Sequence, residues 1–231
     1  MCRNAIGEAN LKSIKMKKLT KQYKYIIFDF DGTINNTSPG IYSTFTKVLA
    51  HFGVNASTVD LSRHIGPPLS DSYTHLVGTE RCDEAIELHK KIFAEDNAAE
   101  NSFLYDGIVD VLKQLRQSGK YTLAIASSKY EPHAITSLKY HKIQEYFDFV
   151  YGQTEKRGFK AEVLRQLIDD NGWDRSKCLM IGDTLHDVEG AHANRIDVVA
   201  VTYGFGKRDE LEQAKPVALC NSPSDIINLL F

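Results

Sequence analysis

Asp29 and Asp31 are the first residues of this chain whose type and spacing could do chemistry. They lie in the stretch Asp29-Phe30-Asp31-Gly32-Thr33, directly after an apolar run. Residues two apart on a strand leave on the same face, and Gly32 permits a sharp turn behind them. Such strand ends are where open α/β sheets bind ligands. The competing interpretation is that Asp31-Gly32 is only a turn and that Asp29 is a solvated strand end.

Further polar groups stand at the ends of other elements. Ser127 and Ser128 follow a second apolar run, Asp183 follows another, and Lys160 comes just before an apolar helix face. A lysine near a helix N-terminus favours a bound phosphate. Carboxylates, a hydroxyl and a lysine around one point are the groups that phosphoryl chemistry needs, because it uses an oxygen nucleophile, a divalent cation and donors to the phosphoryl oxygens.

The elements that must bring these groups together alternate between strand and helix. Apolar runs predict strands at 25–28, 121–126, 147–151, 178–181, 197–201 and 217–219. Helical spacing of apolar residues predicts helices at 108–115, 132–140, 163–168 and 223–230. This alternation is typical of a parallel sheet with helical crossovers. We therefore predict an α/β fold with a Rossmann-like parallel sheet core.

Residues 36–103 interrupt the alternation with helical patterns and no strand. Ser38-Pro39 is a typical helix start, and Ile41, Phe45 and Val48 follow at helical spacing. We predict an all-α domain at 36–103, inserted into a core made of residues 24–35 and 104–231. The first 23 residues form a basic leader that we expect to be poorly ordered.

Composition limits the class of protein. The 231 residues are 42% hydrophobic and 25% charged, which is ordinary for a globular chain. The net charge of −2 conceals a basic leader, which could in principle touch nucleic acid or anionic lipid. No apolar run approaches the roughly 20 residues of a membrane helix. The four cysteines form no CxxC pair and nothing resembles a secretory signal, so we expect a cytoplasmic protein.

In this order, the polar motifs resemble the four motifs of the haloacid dehalogenase (HAD) superfamily of phosphatases. The matching residues are Asp29-Phe30-Asp31-Gly32-Thr33, Ser127, Lys160 and Gly182-Asp183-Thr184-Leu185-His186-Asp187. The first and fourth motifs are specific together, whereas the second and third are weak alone. The helical insertion stands in the place of that family's C1-type cap. Through Ile65-Gly66-Pro67-Pro68-Leu69, the chain is most similar to the phosphoglycolate phosphatase and bacterial 5′-nucleotidase branch.

The resemblance implies a role for each matched residue of the reaction centre. Asp29 would be the nucleophile that forms an aspartyl-phosphate, and Asp31 would act as general acid and then as general base. Mg²⁺ would be held by Asp29, the Asp31 carbonyl and Asp183.

The remaining motif residues would bind the phosphate or support the metal site. The predicted phosphate-binding residues are Gly32, Thr33, Ser127, Ser128 and Lys160. Asp187 and Thr184 would lie behind the site, with Asp187 holding Lys160 or a metal-bound water. The third motif departs from the usual pattern, because Ala161 rather than proline follows Lys160. Lys156 therefore remains the alternative lysine.

The expected function is Mg²⁺-dependent hydrolysis of a small phosphomonoester of the phosphoglycolate or nucleoside 5′-monophosphate type. Two alternatives stay open: a phosphosugar mutase of the same superfamily and a non-enzymatic phosphoacceptor similar to a response-regulator receiver. The expected partner is a small phosphorylated metabolite, neither nucleic acid nor a membrane, bound by a monomer or weak homodimer.

The cap would decide the substrate. Its cations Lys47, Arg63, His64 and Arg81 could read a second anionic group, although each also suits a solvated surface. A nucleoside would instead need an aromatic platform. The cap aromatics Phe45, Phe52, Tyr73 and Phe93 are most simply explained as cap core, and the sequence does not decide which of them face a substrate.

Overall fold

Parallel strand pairing organises the structure, a computed structural model that describes residues 18–65, 67–96, 100–155 and 157–231. The elements in chain order are β1 Tyr25–Phe28, β2 Asn35–Asn36, α1 Ser38–His51, α2 Leu69–Val77, α3 Cys82–Glu95, β3 Phe103–Leu104, α4 Ile108–Gln117, β4 Thr122–Tyr130, α5 Glu131–Tyr140, β5 Phe149–Gln153, α6 Lys160–Asp170, β6 Cys178–Gly182, α7 Leu185–Ala193, β7 Asp197–Val201, α8 Arg208–Gln213, β8 Ala218–Cys220 and α9 Pro223–Leu230. Short 3₁₀ turns lie at Ala56–Thr58, Leu61–His64, Thr79–Arg81, Gln144–Tyr146 and Arg175–Lys177.

Six strands form one parallel sheet in the order β5-β4-β1-β6-β7-β8. Strand β1 lies between β4 and β6, with Phe28 opposite Ile125 on one side and Ile181 on the other. The predicted α/β fold with a parallel sheet and an inserted helical region is confirmed. Because β1 is flanked by strands that come later in the chain, its carboxyl end is a point where ligands bind in such sheets.

Helices cover both faces of the sheet. Ile26 and Phe28 of β1 are buried in the core under α4 and α9, whereas Ile27 packs in the core under α6 and α7. Successive strand residues point to opposite faces, so a continuous apolar run is the sequence that a strand covered on both sides requires. The first polar residue after this run, Asp29, emerges at the end of the sheet.

The second strand is longer than predicted. The sequence places its end at Ala126, but β4 continues to Tyr130, with a shift of register against β5 between these two residues. The polar residues of β4, Ser127 among them, come after its apolar residues because the carboxyl end of this strand lies at the site. Helix α8 was not predicted, since its six residues have no apolar period and bury only Leu211.

The helical insertion has a core of its own. The three helices that follow β2 and precede β3 in the chain share this core. It includes Phe45 of α1, Tyr73 of α2 and Ala85 of α3, all of them buried. We call residues 36–103 the cap. Gly66, part of the motif that placed this chain in its predicted branch, lies outside the described residues.

The chain enters and leaves the cap through one pair of short strands. Strands β2 and β3 are antiparallel, with Asn35 opposite Leu104 and Asn36 opposite Phe103, and we call this pair the hinge. Both predicted domain boundaries lie in it. Asn35 also accepts a hydrogen bond from the Gly32 N–H at 2.8 Å, so the hinge is joined directly to the loop that follows β1.

Part of the basic leader packs on the core. The Leu19 N–H donates to the Leu229 carbonyl at 3.0 Å, and the Tyr23 hydroxyl donates to Asp197 at 2.7 Å. Residues 19–23 are therefore held rather than free, and the leader prediction for residues 1–17 falls outside the described residues. Among the helices of the described chain, none has the length and apolar composition that crossing a bilayer would demand.

Candidate active site

The polar residues predicted to act together meet at one end of the sheet. Asp29 follows β1, Ser127 lies in β4 and Asp183 follows β6, and these three strands are neighbours. The Asp29 N–H donates to the Ile181 carbonyl at 2.8 Å, which extends the β1–β6 pairing by one residue. All three side chains are buried. The parallel sheet therefore brings together groups that are more than 150 positions apart at the extremes.

Lys160, the first residue of α6, lies between two of the carboxylates. Its Nζ is 2.6 Å from Asp29 Oδ1 and 2.8 Å from Asp187 Oδ1, and it donates to the Ala126 carbonyl at 2.9 Å. Two of these contacts are hydrogen bonds and the contact with Asp187 is an ion pair. Burial alone lowers the pKa of Lys160, but the Asp187 and Asp29 carboxylates outweigh burial and raise the pKa above its ordinary value. The alternative, Lys156, lies outside the described residues.

Asp183 is held from two sides. Its Oδ1 accepts from the Thr33 hydroxyl at 2.8 Å and its Oδ2 from the Phe205 N–H at 2.8 Å. Two glycines allow this close packing, since a Cβ at Gly32 would come within 2.1 Å of Oδ2 and one at Gly204 within 2.3 Å. Thr33 was predicted to bind phosphate, and its fully buried hydroxyl instead supports a predicted metal ligand.

Asp187 is fixed by the start of α7. Its Oδ2 accepts from both the N–H and the hydroxyl of Thr184, at 2.9 and 2.8 Å, while Oδ1 contacts Lys160. Oδ2 is thus hydrogen-bonded, whereas the buried Oδ1 has the ion pair with Lys160 and accepts no hydrogen bond from the described residues. This arrangement suits the supporting role predicted for Asp187 and Thr184, in which Asp187 orients Lys160.

The buried carboxylates have the composition of a site for a hard cation. Asp29, Asp183 and Asp187 each bring an oxygen within 4.8 Å of the others, and Lys160 is the cation in contact with two of them. Burial raises the pKa of Asp29 to about 7, with Lys160 opposing the change and Asp187 adding to it. Burial, then Asp187 and Asp29, also raise the pKa of Asp183. Negative charge therefore exceeds positive charge, and Mg²⁺ would fit these oxygen donors.

Asp31 has a cation of its own, which the sequence analysis missed. Lys129 of β4 places Nζ 3.2 Å from each Asp31 carboxylate oxygen, and the two side chains are 7% and 12% exposed. The same ammonium lies 4.8 Å from the centre of the Phe93 ring in the cap. Lys129 therefore touches a predicted catalytic residue and the cap at once. Its position directly after Ser127-Ser128 is the signal that could have identified it.

A cavity between cap and core opens onto these groups. Asp29, Asp31, Ser127 and Ser128 line it from the core. On the cap side its wall is aromatic and aliphatic, and the lining includes Phe45, Phe93, His64 and His89. Ligand sites in proteins are typically apolar concavities with a few placed polar groups. The cavity is therefore the candidate binding site for a substrate.

The other predicted cap cations are paired or exposed. Lys47 contacts Asp96 at 2.5 Å, and Arg63 contacts Asp60 at 3.2 Å with both side chains exposed. Arg81 is exposed and does not line the cavity. His64 alone of the four lines the cavity, and burial lowers its pKa, so that its ring is neutral at pH 7.

Sequence reasoning also missed the loop that packs behind Asp183. Besides the Phe205 contact, the Tyr203 hydroxyl donates to the Thr33 carbonyl at 2.9 Å. The Gly204-Phe205-Gly206 sequence directly after the β7 segment is the available signal, because glycines beside a strand end mark a close backbone approach.

The fold and site together are those of a capped α/β protein with buried aspartates at the carboxyl end of its parallel sheet. Residues 26–201 match the family model described as haloacid dehalogenase-like hydrolase. Since the match covers most of the chain, this protein belongs to the haloacid dehalogenase-like hydrolase family. The family resemblance noted from the sequence motifs is thereby confirmed.

Similar proteins differ in their named activities. The chain is 34% identical over 200 residues to the tyrosine-protein kinase PtkA of Mycobacterium tuberculosis, covering 85% of this chain and 68% of that protein. It is 33% identical over 210 residues to a 5′-nucleotidase of Pseudomonas aeruginosa, covering 89% and 94%. A haloacid dehalogenase-like hydrolase from Streptococcus pneumoniae has a similar structure, with a TM-score of 0.81, 28% identity and coverage of 89% and 97%.

Proposed function

We propose that this protein hydrolyses a small phosphomonoester through an aspartyl-phosphate on Asp29, in a Mg²⁺-dependent reaction. One observation carries the proposal. Asp29 Oδ1 is fixed by Lys160 at 2.6 Å, whereas Oδ2 accepts no hydrogen bond from the described residues and Asp29 lines the cavity. An oriented carboxylate with one free oxygen at the floor of a cavity is suited to attack phosphorus.

Asp31 serves as the proton donor to the leaving oxygen and then as the base for the hydrolytic water. It lines the same cavity two residues beyond Asp29, so both carboxylates can reach one substrate. Lys129 contacts both of its oxygens and holds the side chain in place before substrate arrives. The two aspartates thereby have separate partners and separate roles.

Ser127 binds a phosphoryl oxygen. Its Oγ accepts from the Lys129 N–H at 3.3 Å, and its own hydroxyl proton donates to no group in the described part of the chain. That proton is available to an oxygen atom at the cavity floor, and Ser128 lines the cavity beside it. Lys160 adds positive charge next to Asp29. Donors placed at developing negative charge are typically a large contribution to catalysis.

Mg²⁺ would be held by Asp29, the main-chain carbonyl of Asp31 and Asp183, and it would supply positive charge to the phosphoryl oxygens. The excess of buried carboxylates over cations supports this assignment. Asp187 is left out of the ligand set because Thr184 donates to its Oδ2 and its Oδ1 forms an ion pair with Lys160.

Phosphate release tests the function. Wild-type protein with Mg²⁺ is expected to release inorganic phosphate from a panel that contains phosphoglycolate, nucleoside 5′-monophosphates and phenyl phosphate. The Asp29→Asn protein is the matched control, because it keeps the size of the side chain and removes the nucleophile. Equal rates in the two proteins would refute the proposal.

Adding hexose phosphates to the panel and analysing the products and the protein separates the alternatives. A phosphosugar mutase would convert hexose phosphates into isomers without releasing phosphate. A phosphoacceptor module would form an aspartyl-phosphate that persists for hours. Chromatography of the products and intact-protein mass spectrometry distinguish both results from hydrolysis.

A further inference from the structure

His89 of α3 is a buried polar residue of the cap that lines the cavity above Asp29 and Asp31. Its side chain is 5% exposed. The Tyr73 hydroxyl lies 2.7 Å from Nδ1, and this is the one hydrogen bond of His89 within the described residues. The other ring nitrogen, Nε2, therefore has no partner there. Nε2 is not a fully buried atom, so it opens to the cavity, where a polar atom of a ligand can reach it.

The hydrogen bond to Tyr73 determines which nitrogen carries the proton. Burial, assisted by the positive charge of Lys129, lowers the pKa of His89 to about 3, so the ring is neutral. If Nδ1 donated to Tyr73, the buried Tyr73 proton and Nε2 would both lack a partner. If Tyr73 donates to Nδ1, only Nε2–H is unpaired. We assign the second arrangement because it leaves fewer buried groups unsatisfied, and His89 then presents an N–H donor.

The groups around His89 favour a substrate whose leaving group has an uncharged ring. Phe93 stacks on the ring of His133, with centroids 4.4 Å apart and planes 19° apart, and Phe45 packs edge-on against His89 at 5.2 Å. Burial lowers the pKa of His133 to about 4, so this ring is neutral too. Lys129 is the only lysine or arginine among the described lining residues, and it is paired with Asp31. A carboxylate on the leaving group would find no unpaired cation on this wall.

We propose that His89 is a specificity-determining residue, whose Nε2–H donates to an acceptor atom on a substrate whose leaving group carries an uncharged heteroaromatic ring. Nucleoside 5′-monophosphates and heteroaryl-methyl phosphates such as pyridin-3-ylmethyl phosphate share this chemistry. The inference rests on the proposed function for the identity of the reacting phosphate. The cavity holds about 60 Å³, room for roughly four waters, so the cap must move to admit a ring.

Binding to protein that carries Asp29→Asn tests the inference without turnover. Titration calorimetry without added metal compares uridine 5′-monophosphate and pyridin-3-ylmethyl phosphate with phenyl phosphate, which has a ring but no acceptor on it. Adding His89→Phe should weaken binding of the two acceptor-bearing esters about tenfold relative to phenyl phosphate. His89→Gln, which can place an amide N–H near the same point, should restore most of the preference.

Two further variants control the test. Phe45→Leu alters the same wall without a polar group and should weaken all three ligands alike. Tyr73→Phe keeps the imidazole of His89 but removes the hydroxyl that holds its proton on Nε2. It should reduce the preference for the acceptor-bearing esters by a smaller factor than His89→Phe. It also provides a second measurement if the His89 variant unfolds.

The outcomes separate the inference from the proposed function. An unchanged ratio in both His89→Phe and Tyr73→Phe overturns the role of His89. So does tighter binding of phosphoglycolate, titrated in the same way, than of every ring ester. If the ratio falls as expected while wild-type protein releases no phosphate from any ester, the proposed hydrolysis fails and the binding role of His89 stands. The two heteroaromatic ligands identify which source of the ring is preferred.

Discussion

The raised pKa of Asp29 predicts how the stability of the metal-free protein depends on pH. Burial raises this pKa from 3.8 to about 7 in the folded chain. Below about pH 4 the carboxyl group is protonated in both folded and unfolded chains. Between about pH 4 and 7 the unfolded chain releases the proton and the folded chain keeps it, so the free energy of unfolding falls as pH rises.

The size of the effect follows from the shift. A difference of one pKa unit corresponds to about 1.36 kcal/mol, so the loss between pH 5 and 8 is roughly 3 kcal/mol, or about 6–12 °C in melting temperature for a chain of this length. Asp183, whose pKa burial also raises, changes stability in the same direction. Other carboxyl groups, whose pKa values are lowered, act in the opposite direction and make a comparison with a variant necessary.

Asp29→Asn isolates the contribution, because asparagine resembles the protonated carboxyl group at every pH. We expect thermal unfolding in EDTA to show a difference between variant and wild type that grows by about 3 kcal/mol from pH 5 to pH 8 in favour of the variant. Saturating Mg²⁺ should stabilise the wild type at pH 8 and the variant much less. Parallel curves for the two proteins across this range would refute the reasoning that burial of the Asp29 carboxylate outweighs its pairing with Lys160.

Three other substitutions test separate parts of the site. Ser127→Ala should lower kcat about 100-fold with unchanged melting temperature, because it removes one donor to the phosphoryl oxygens; a change in KM alone would contradict that role. Lys129→Met should slow alkyl phosphates more than p-nitrophenyl phosphate, whose leaving group needs no proton, because Asp31 loses the cation that orients it; equal loss with both would contradict this. Gly204→Ala should destabilise the protein by about 1–3 kcal/mol and weaken Mg²⁺ binding, since its Cβ would come within 2.3 Å of Asp183. Scanning calorimetry checks the stability, and titration calorimetry with Mg²⁺ checks the binding.

The sheet and the acidic centre could be predicted from sequence because each depends on a local pattern. A four-residue apolar run followed by Asp29 identifies both the central strand and the position where it ends at the site, and the same holds for Asp183 after β6. Parallel pairing then requires the two aspartates to be neighbours. These inferences need only the periodicity of strands and the chemistry of carboxylates.

Lys129 and His89 could not be predicted in the same way. Lys129 lies where an isolated strand pattern has already ended, and its role depends on Asp31, 98 positions earlier. His89 is one of two aromatic residues at helical spacing in α3, and only the packing of α2 against α3 brings Tyr73 to its Nδ1. Tertiary contacts of this kind cannot be inferred from the sequence of one helix or strand, because the contact partners belong to other elements.

The hinge has a consequence for the order of events in turnover. Its two strands lie side by side and carry both connections between cap and core, so we expect the cap to move about this pair. Asn35 belongs to the pair and also accepts the hydrogen bond from Gly32, the residue after Asp31. We therefore expect opening of the cap to displace the loop that carries Asp31, the proton donor of the proposed mechanism. We expect opening for product release to limit the rate with good substrates, in which case kcat would fall with solvent viscosity while single-turnover hydrolysis would not.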